Sequence, residues 1–245
     1  MSKCIIIPDV HGRDFWRSAV QGHEEDRIIF LGDYVDPYPW EGILPGEAYK
    51  RLLDIIDFKK EHPGNVVLLL GNHDLGYLDP DICTCRRDHF RAVQLKQTFE
   101  DNLALFDIVH IEDSLNGKVL FSHAGIAESW LKRHGNILPG EGFRPERLNE
   151  MLHGDPSARR LLFATLADAS WYRGGEDTVG SPVWADVQEY LDGERLLAGY
   201  LHVFGHTMHE GPAVNVRGHG LCLDCARAFV LDPENERISY LWSTL

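Results

Sequence analysis

Five short apolar runs in this chain each end on residues able to bind a metal or move a proton. CIII leads into Pro8-Asp9-Val10-His11-Gly12, RIIFL into Gly32-Asp33-Tyr34-Val35-Asp36, NVVLLL into Gly71-Asn72-His73-Asp74, KVLF into Ser122-His123-Ala124-Gly125, and LHVFG into His206-Thr207. Runs this short, rich in β-branched residues and apolar without interruption, read as strands buried on both faces. Between the second and third runs, Ala48, Leu52, Ile55 and Ile56 recur at helix-face spacing, and His62-Pro63-Gly64 stops the helix. Strand, helix, strand in that order implies a largely parallel α/β core, whose ligands collect at the carboxyl ends of the strands.

The rest of the chain supplies layers around that core. From residue 144 to 191 the spacing of Leu161, Leu162, Thr165 and Leu166, then of Val183, Val187, Tyr190 and Leu191, predicts helices. The last third returns to strands: LHVFG, AVNV, GLCLD, AFVL and ISYLW suggest an antiparallel meander forming a second sheet. No repeat or linker divides the 245 residues, so one domain spanning 1–245 is expected.

Charge and cysteine content exclude several classes. Lys and Arg total 24 against 38 Asp and Glu, a net charge of −14, which repels polyphosphate backbones and argues against non-specific nucleic-acid binding. The apolar run near the N-terminus is too short for a signal-peptide core or a membrane span, so a cytoplasmic protein with no membrane association is expected. Five cysteines fit free thiols better than a disulfide framework. Cys83 and Cys85 with Cys222 and Cys225 could form a four-thiolate zinc site, the basis of a competing reading as a metal-binding scaffold without turnover. Cys222 is explained more simply as a small buried sheet residue.

A sheet that delivers Asp, His, Asp, Asn, His and His to one edge can hold two divalent ions about 3.5 to 4 Å apart through a shared carboxylate. The ordered blocks D-x-H, G-D-x-x-D, G-N-H-D, a later H and G-H resemble the signature of the calcineurin-like metallophosphoesterase superfamily from Asp9 to His206. The resemblance implies a four-layer αββα double β-sandwich with the metal site at the strand ends. It assigns Asp9 and His11 to the first metal, Asp33 to both, and Asn72, His123 and His206 to the second. His73 matches the general acid and Asp36 the carboxylate that pairs with it. The cofactors implied are two divalent ions, manganese first, with iron, zinc, nickel, cobalt and magnesium as alternatives.

The implied reaction is hydrolysis of a phosphomonoester, with a small molecule, nucleotide or phosphoprotein as substrate and dinucleoside polyphosphate hydrolysis as the alternative. Met208 stands where many members carry a second histidine, as in the branch of serine/threonine phosphatases and bacterial diadenosine tetraphosphate hydrolases. That branch also carries an arginine after its G-D-x-V-D block, and here the position is Pro37. Arg13, or Arg86 and Arg87, are the replacements to consider for gripping phosphate, against the plainer reading of surface cations. The stretch from Tyr34 to Trp40 could stack on a nucleoside or phenolic group, or simply cover strand ends. Of the remaining histidines most are expected at the surface or in caps, with His89 and His219 able to reach the site only if their loops fold over it.

Overall fold

The computed structural model describes residues 3–82, 86–138, 143–211, 213–232 and 237–241. Two sheets lie face to face. The first has strand order β11-β10-β1-β2-β3-β4, from β1 (Cys4–Ile7), β2 (Arg27–Phe30), β3 (Val66–Leu69), β4 (Phe106–Asp107), β10 (Phe229–Asp232) and β11 (Arg237–Tyr240). The second has the order β5-β6-β7-β9-β8, from β5 (Val109–Ser114), β6 (Gly117–Ser122), β7 (Tyr200–Phe204), β8 (Val214–Val216) and β9 (Gly220–Cys222). Parallel pairing joins β1, β2, β3 and β4, and also β6, β7 and β9.

Alternate residues of the central strands enter different apolar layers, which is why the runs are apolar throughout. Cys4, Ile6, Ile29, Leu31, Val67 and Leu69 meet Val119, Phe121, Val203 and Leu223 between the sheets. Ile5, Ile7, Ile28, Phe30, Val66 and Leu68 face outward onto helices. Among these are α1 (Phe15–Val20) and α2 (Pro45–Glu61), and α2 buries the expected Ala48, Leu52, Ile55 and Ile56 and ends at His62. The helices α3 (Asn72–Leu78), α4 (Ala92–Asp101), α5 (Glu128–Arg133), α6 (Arg147–Leu152), α7 (Pro156–Leu166) and α8 (Val187–Asp192) complete the described helical elements.

The structure corrects the expected meander. AFVL and the ISY of ISYLW join the first sheet, where β10 runs antiparallel to β1 in the register Cys4↔Leu231, while Trp242 lies outside the described residues. The remaining strands do not pair in chain order, because β9 inserts between β7 and β8 and lies parallel to β7. Alternation reports which face of a strand is buried and carries no record of its neighbour. Val183 lies outside α8, which starts four residues later under the Asp186 side chain as its cap. The order of elements places Asp9, Asp33 and Asn72 just beyond β1, β2 and β3, and His123 and His206 just beyond β6 and β7. Both sheets therefore deliver side chains to one edge.

Candidate metal centre

Two groups of buried side chains share Asp33. Asp9, His11 and Asp33 present ligand atoms within 4.8 Å of one another, and so do Asp33, His123 and His206. Asn72 completes the second group, with Oδ1 3.1 Å from His123 Nε2. All six of the sequence-expected ligands are thus brought together, and each is no more than 7% exposed. His73 and Asp36 lie alongside, joined Nδ1 to Oδ2 at 2.8 Å.

Backbone geometry aims these groups. His11, Asp33, Asp36 and His206 have φ of 43°, 53°, 60° and 67°, the left-handed region that L-residues avoid unless the surroundings impose it. Such turns at strand ends redirect the next side chain off the sheet. Gly71 and Gly205 admit the carboxylates: a Cβ on Gly71 would meet Asp33 Oδ1 at 2.2 Å, and one on Gly205 would meet Asp9 Oδ1 at 2.1 Å. The His206 amide donates to both oxygens of Asp9, at 2.9 and 3.2 Å, and the His73 amide donates to Asp33 Oδ1 at 3.0 Å.

The donor set fits divalent cations. His11 and His123 donate from Nδ1 to the carbonyls of Val35 and Leu31, at 2.9 and 2.8 Å, leaving an Nε2 lone pair on each neutral ring. Each of those nitrogens lies 3.5 Å from Asp33 Oδ2. His123 Nε2 also faces His206 Nδ1 at 3.1 Å, while His206 Nε2 is buried with no hydrogen-bond partner among the described residues. Lone pairs and a carboxylate converging in a buried space require a positive charge between them. Arg86 Nη2, 3.3 Å from His11 Nε2, already places a cationic donor on one of them.

Protonation states agree with that requirement. Burial drives the His11 imidazole down to about 3. It holds His206 well below the usual imidazole range, with the Arg173 guanidinium adding to the effect. Burial alone would raise Asp33, but His123, His73 and His11 outweigh it and bring its carboxyl to about 2. Burial raises Asp9, the effect that a bound cation would oppose.

Several contributors escaped the sequence reading. Asp74 accepts from the amides of Asp33, Tyr34 and Gly71 at 2.7, 3.0 and 2.9 Å, locking the Asp33 turn to the start of α3. Its signal was an acid three residues after a helix-starting glycine. The Tyr77 hydroxyl donates to Asp36 Oδ1 at 2.5 Å. Arg173 donates from Nη2 to the His206 carbonyl at 3.1 Å and to Thr207 Oγ1 at 2.8 Å. Asp224 is buried, with Oδ2 lacking a hydrogen-bond partner among the described residues. Burial, then the charge of Asp9, pushes its carboxyl well above the usual range.

The other expectations separate clearly. Arg13 sits beside the centre with Nε on Glu41 Oε1 at 2.7 Å and Nη1 on the Asp9 carbonyl at 3.0 Å. Arg87 lies over the Tyr77 ring, 5.0 Å from its centroid. Tyr34 is fully buried, its hydroxyl on the Leu69 carbonyl at 2.8 Å, so it cannot stack on a ligand. Met208 is 51% exposed. His89 is exposed, and His219 lines a cavity of about 440 Å³ with Arg195, Tyr200 and Arg217, by the start of β7 at the end opposite His206. Cys222 packs in β9 with Sγ 3.2 Å from the Gly205 carbonyl, while Cys83 and Cys85 lie outside the described residues. Among the described residues no helix is long and apolar enough to cross a membrane.

Comparison with known proteins gives the same family and fold. The sequence model for calcineurin-like phosphoesterases matches residues 3–210. Among solved structures, the chain resembles a cold-active protein-tyrosine phosphatase of a psychrophilic Shewanella species, at 17% identity and a TM-score of 0.60 over 99% of this chain and 78% of that one. It also resembles a protein serine/threonine phosphatase from Saccharomyces cerevisiae, at 16% identity and a TM-score of 0.50 over 98% of this chain and 79% of that one. At these identities the likeness is one of fold.

Proposed function

The chain belongs to the calcineurin-like phosphoesterase family, and from that premise we propose that it hydrolyses phosphomonoesters at a dinuclear metal centre. Asp9, His11 and Asp33 would hold one ion, and Asp33, Asn72, His123 and His206 the other. The observation that supports this most directly is Asp33, whose carboxylate belongs to both ligand groups. Bound there, two divalent ions would neutralise phosphoryl oxygens and lower the pKa of a water so that hydroxide is available near neutral pH. Manganese leads the candidates, since an oxygen and imidazole set accepts several first-row metals and availability decides among them.

The protein's own part is to position groups and to move the leaving-group proton. With Nδ1 held by Asp36 and its ring edge-on to His11, His73 has Nε2 left to protonate the departing oxygen. Asp36 fixes the tautomer and orientation of that ring. Arg13, on the Asp9 carbonyl, and Arg86, at His11 Nε2, supply permanent positive charge in place of the guanidinium that Pro37 cannot offer.

The test is metal content together with turnover of a panel of phosphopeptides, sugar phosphates, nucleotides and diadenosine tetraphosphate in manganese. Two ions per chain, lost together in Asp33→Asn along with activity, is the expected result. Zinc that follows the cysteines, with no turnover, would establish the scaffold reading instead. Dinucleoside polyphosphate hydrolysis is the second reading, favoured by the exposed Trp40 stacked on the half-buried Tyr38 next to His11.

A further inference from the structure

A row of rings leads from the acid to solvent. His73 meets His11 edge-on with centroids 5.2 Å apart, His11 meets Tyr38 at 5.1 Å, and Tyr38 stacks on Trp40 at 4.7 Å with 29° between planes. The Arg86 guanidinium carbon lies 3.7 Å from the Tyr38 centroid, filling the face it covers, so Trp40 takes the opposite face. Trp40 itself is 71% exposed. Leaving so large an apolar side chain in water forgoes one of the larger burial gains available to a chain, and packing does not account for it.

The row is held rigidly. Pro39–Glu41 form a short 3-10 turn, and Glu41 accepts from Arg13, which in turn donates to the Asp9 carbonyl. Arg86 is tied to the Asp36 carbonyl through Nε at 3.2 Å. The Trp40 backbone is therefore tied through Glu41 and Arg13 to Asp9, and its indole rests on the Tyr38 ring.

We infer that Trp40 is the stacking platform for the base of a nucleoside phosphate whose phosphoryl group occupies the metal centre. The inference rests on the phosphoesterase reading for its phosphate end. Aromatic faces bind any nucleobase by stacking. Spacing favours this class over a phenolic ester: Trp40 stands two ring contacts from His11, at 5.1 and 4.7 Å, a span suited to a base carried on a ribose rather than to a ring bonded directly to the ester oxygen. A single nucleotide also avoids the long-range repulsion that excludes nucleic acids.

The experiment compares adenosine monophosphate, glycerol phosphate and a phosphotyrosine peptide on the manganese-loaded protein and on Trp40→Ala and Trp40→Phe. The ratio of KM for adenosine monophosphate to that for glycerol phosphate is expected to rise about tenfold in Trp40→Ala, the loss of one stacking contact, with most of it restored in Trp40→Phe. An unchanged ratio, or a loss for the phosphopeptide as large as for the nucleotide, would overturn the inference. If the unsubstituted protein hydrolyses none of the three, the phosphoesterase reading fails by itself. Quenching of tryptophan fluorescence by adenosine then decides the platform: a signal lost in Trp40→Ala supports it, and equal quenching in both proteins overturns it.

Discussion

Asp36 accepts three hydrogen bonds: His73 Nδ1 on Oδ2, and the Tyr77 hydroxyl and the Asp88 amide on Oδ1 at 2.5 and 3.2 Å. A carboxylate held this way orients the imidazole it faces, so under the proposed mechanism its partners would act through His73. His73→Asn is expected to cut turnover of alkyl phosphates by about 10² to 10⁴-fold and that of nitrophenyl phosphate far less, because only the poor leaving group needs the proton. Equal losses in steady-state kinetics would reject the acid role. Gly205→Ala tests the backbone of the site: its Cβ would collide with Asp9 Oδ1, so metal analysis is expected to show loss of the ion bound by Asp9 and His11. The candidate ligands were legible in the sequence because each carries its own chemistry at a strand end. Tyr77 was not, since a tyrosine in a helix acquires its meaning only from a carboxylate 41 residues earlier. Trp40 was visible as a candidate, and only its exposure distinguished it from Tyr34, which shares the same loop sequence yet is core.

Elements with uniform apolar character were legible, and those with mixed character were not. β1, β2 and β3 announced themselves because both faces are buried, whereas β5 (VHIEDS) carries charges on a partly exposed edge and gave no strand signal. The Asn116-Gly117 pair that joins it to β6 was the available clue. β7 hides another surprise: His202, expected with the surface histidines, is fully buried, donates Nε2 to the Leu197 carbonyl at 2.9 Å, and leaves Nδ1 with no partner among the described residues. Burial drives its pKa to about 4. An unfolded chain protonates this ring near pH 6.5 while the folded one does not until about pH 4, so stability falls as pH drops through that window. Its full contribution is roughly 3 kcal/mol. Urea unfolding at pH 7.5 and pH 4.5 is therefore expected to show a smaller acid loss in His202→Leu than in the unsubstituted protein, and parallel losses would refute the assignment.

At the scale of the molecule, the candidate ligands come from both sheets, so ions bound between them would tie the two together: Asp9, His11, Asp33 and Asn72 follow strands of the first, His123 and His206 strands of the second. Cations bound only by the folded state stabilise it by mass action, about 2.7 kcal/mol at a hundred times Kd. Chelation is accordingly expected to lower the melting temperature by roughly 5 to 10 °C, read by calorimetry with and without added manganese. No shift would mean that the sheets hold together without the ions. The net charge of −14 does not describe this edge, where two divalent ions would set a positive local field. The two-sheet architecture could be read from the pattern of runs, but the return of β10 to the first sheet could not, because pairing is decided by distant chain. That return also governs synthesis. Asp9 and His206 are hydrogen-bonded across 197 residues, and β1 gains its second neighbour only when β10 has been made. A growing chain on the ribosome exposes most of the candidate metal ligands, beside an unpaired strand edge, long before the last one is translated. Metal loading at the proposed centre would thus be a late event of biogenesis, and a stalled nascent chain would be prone to wrong cations and to aggregation.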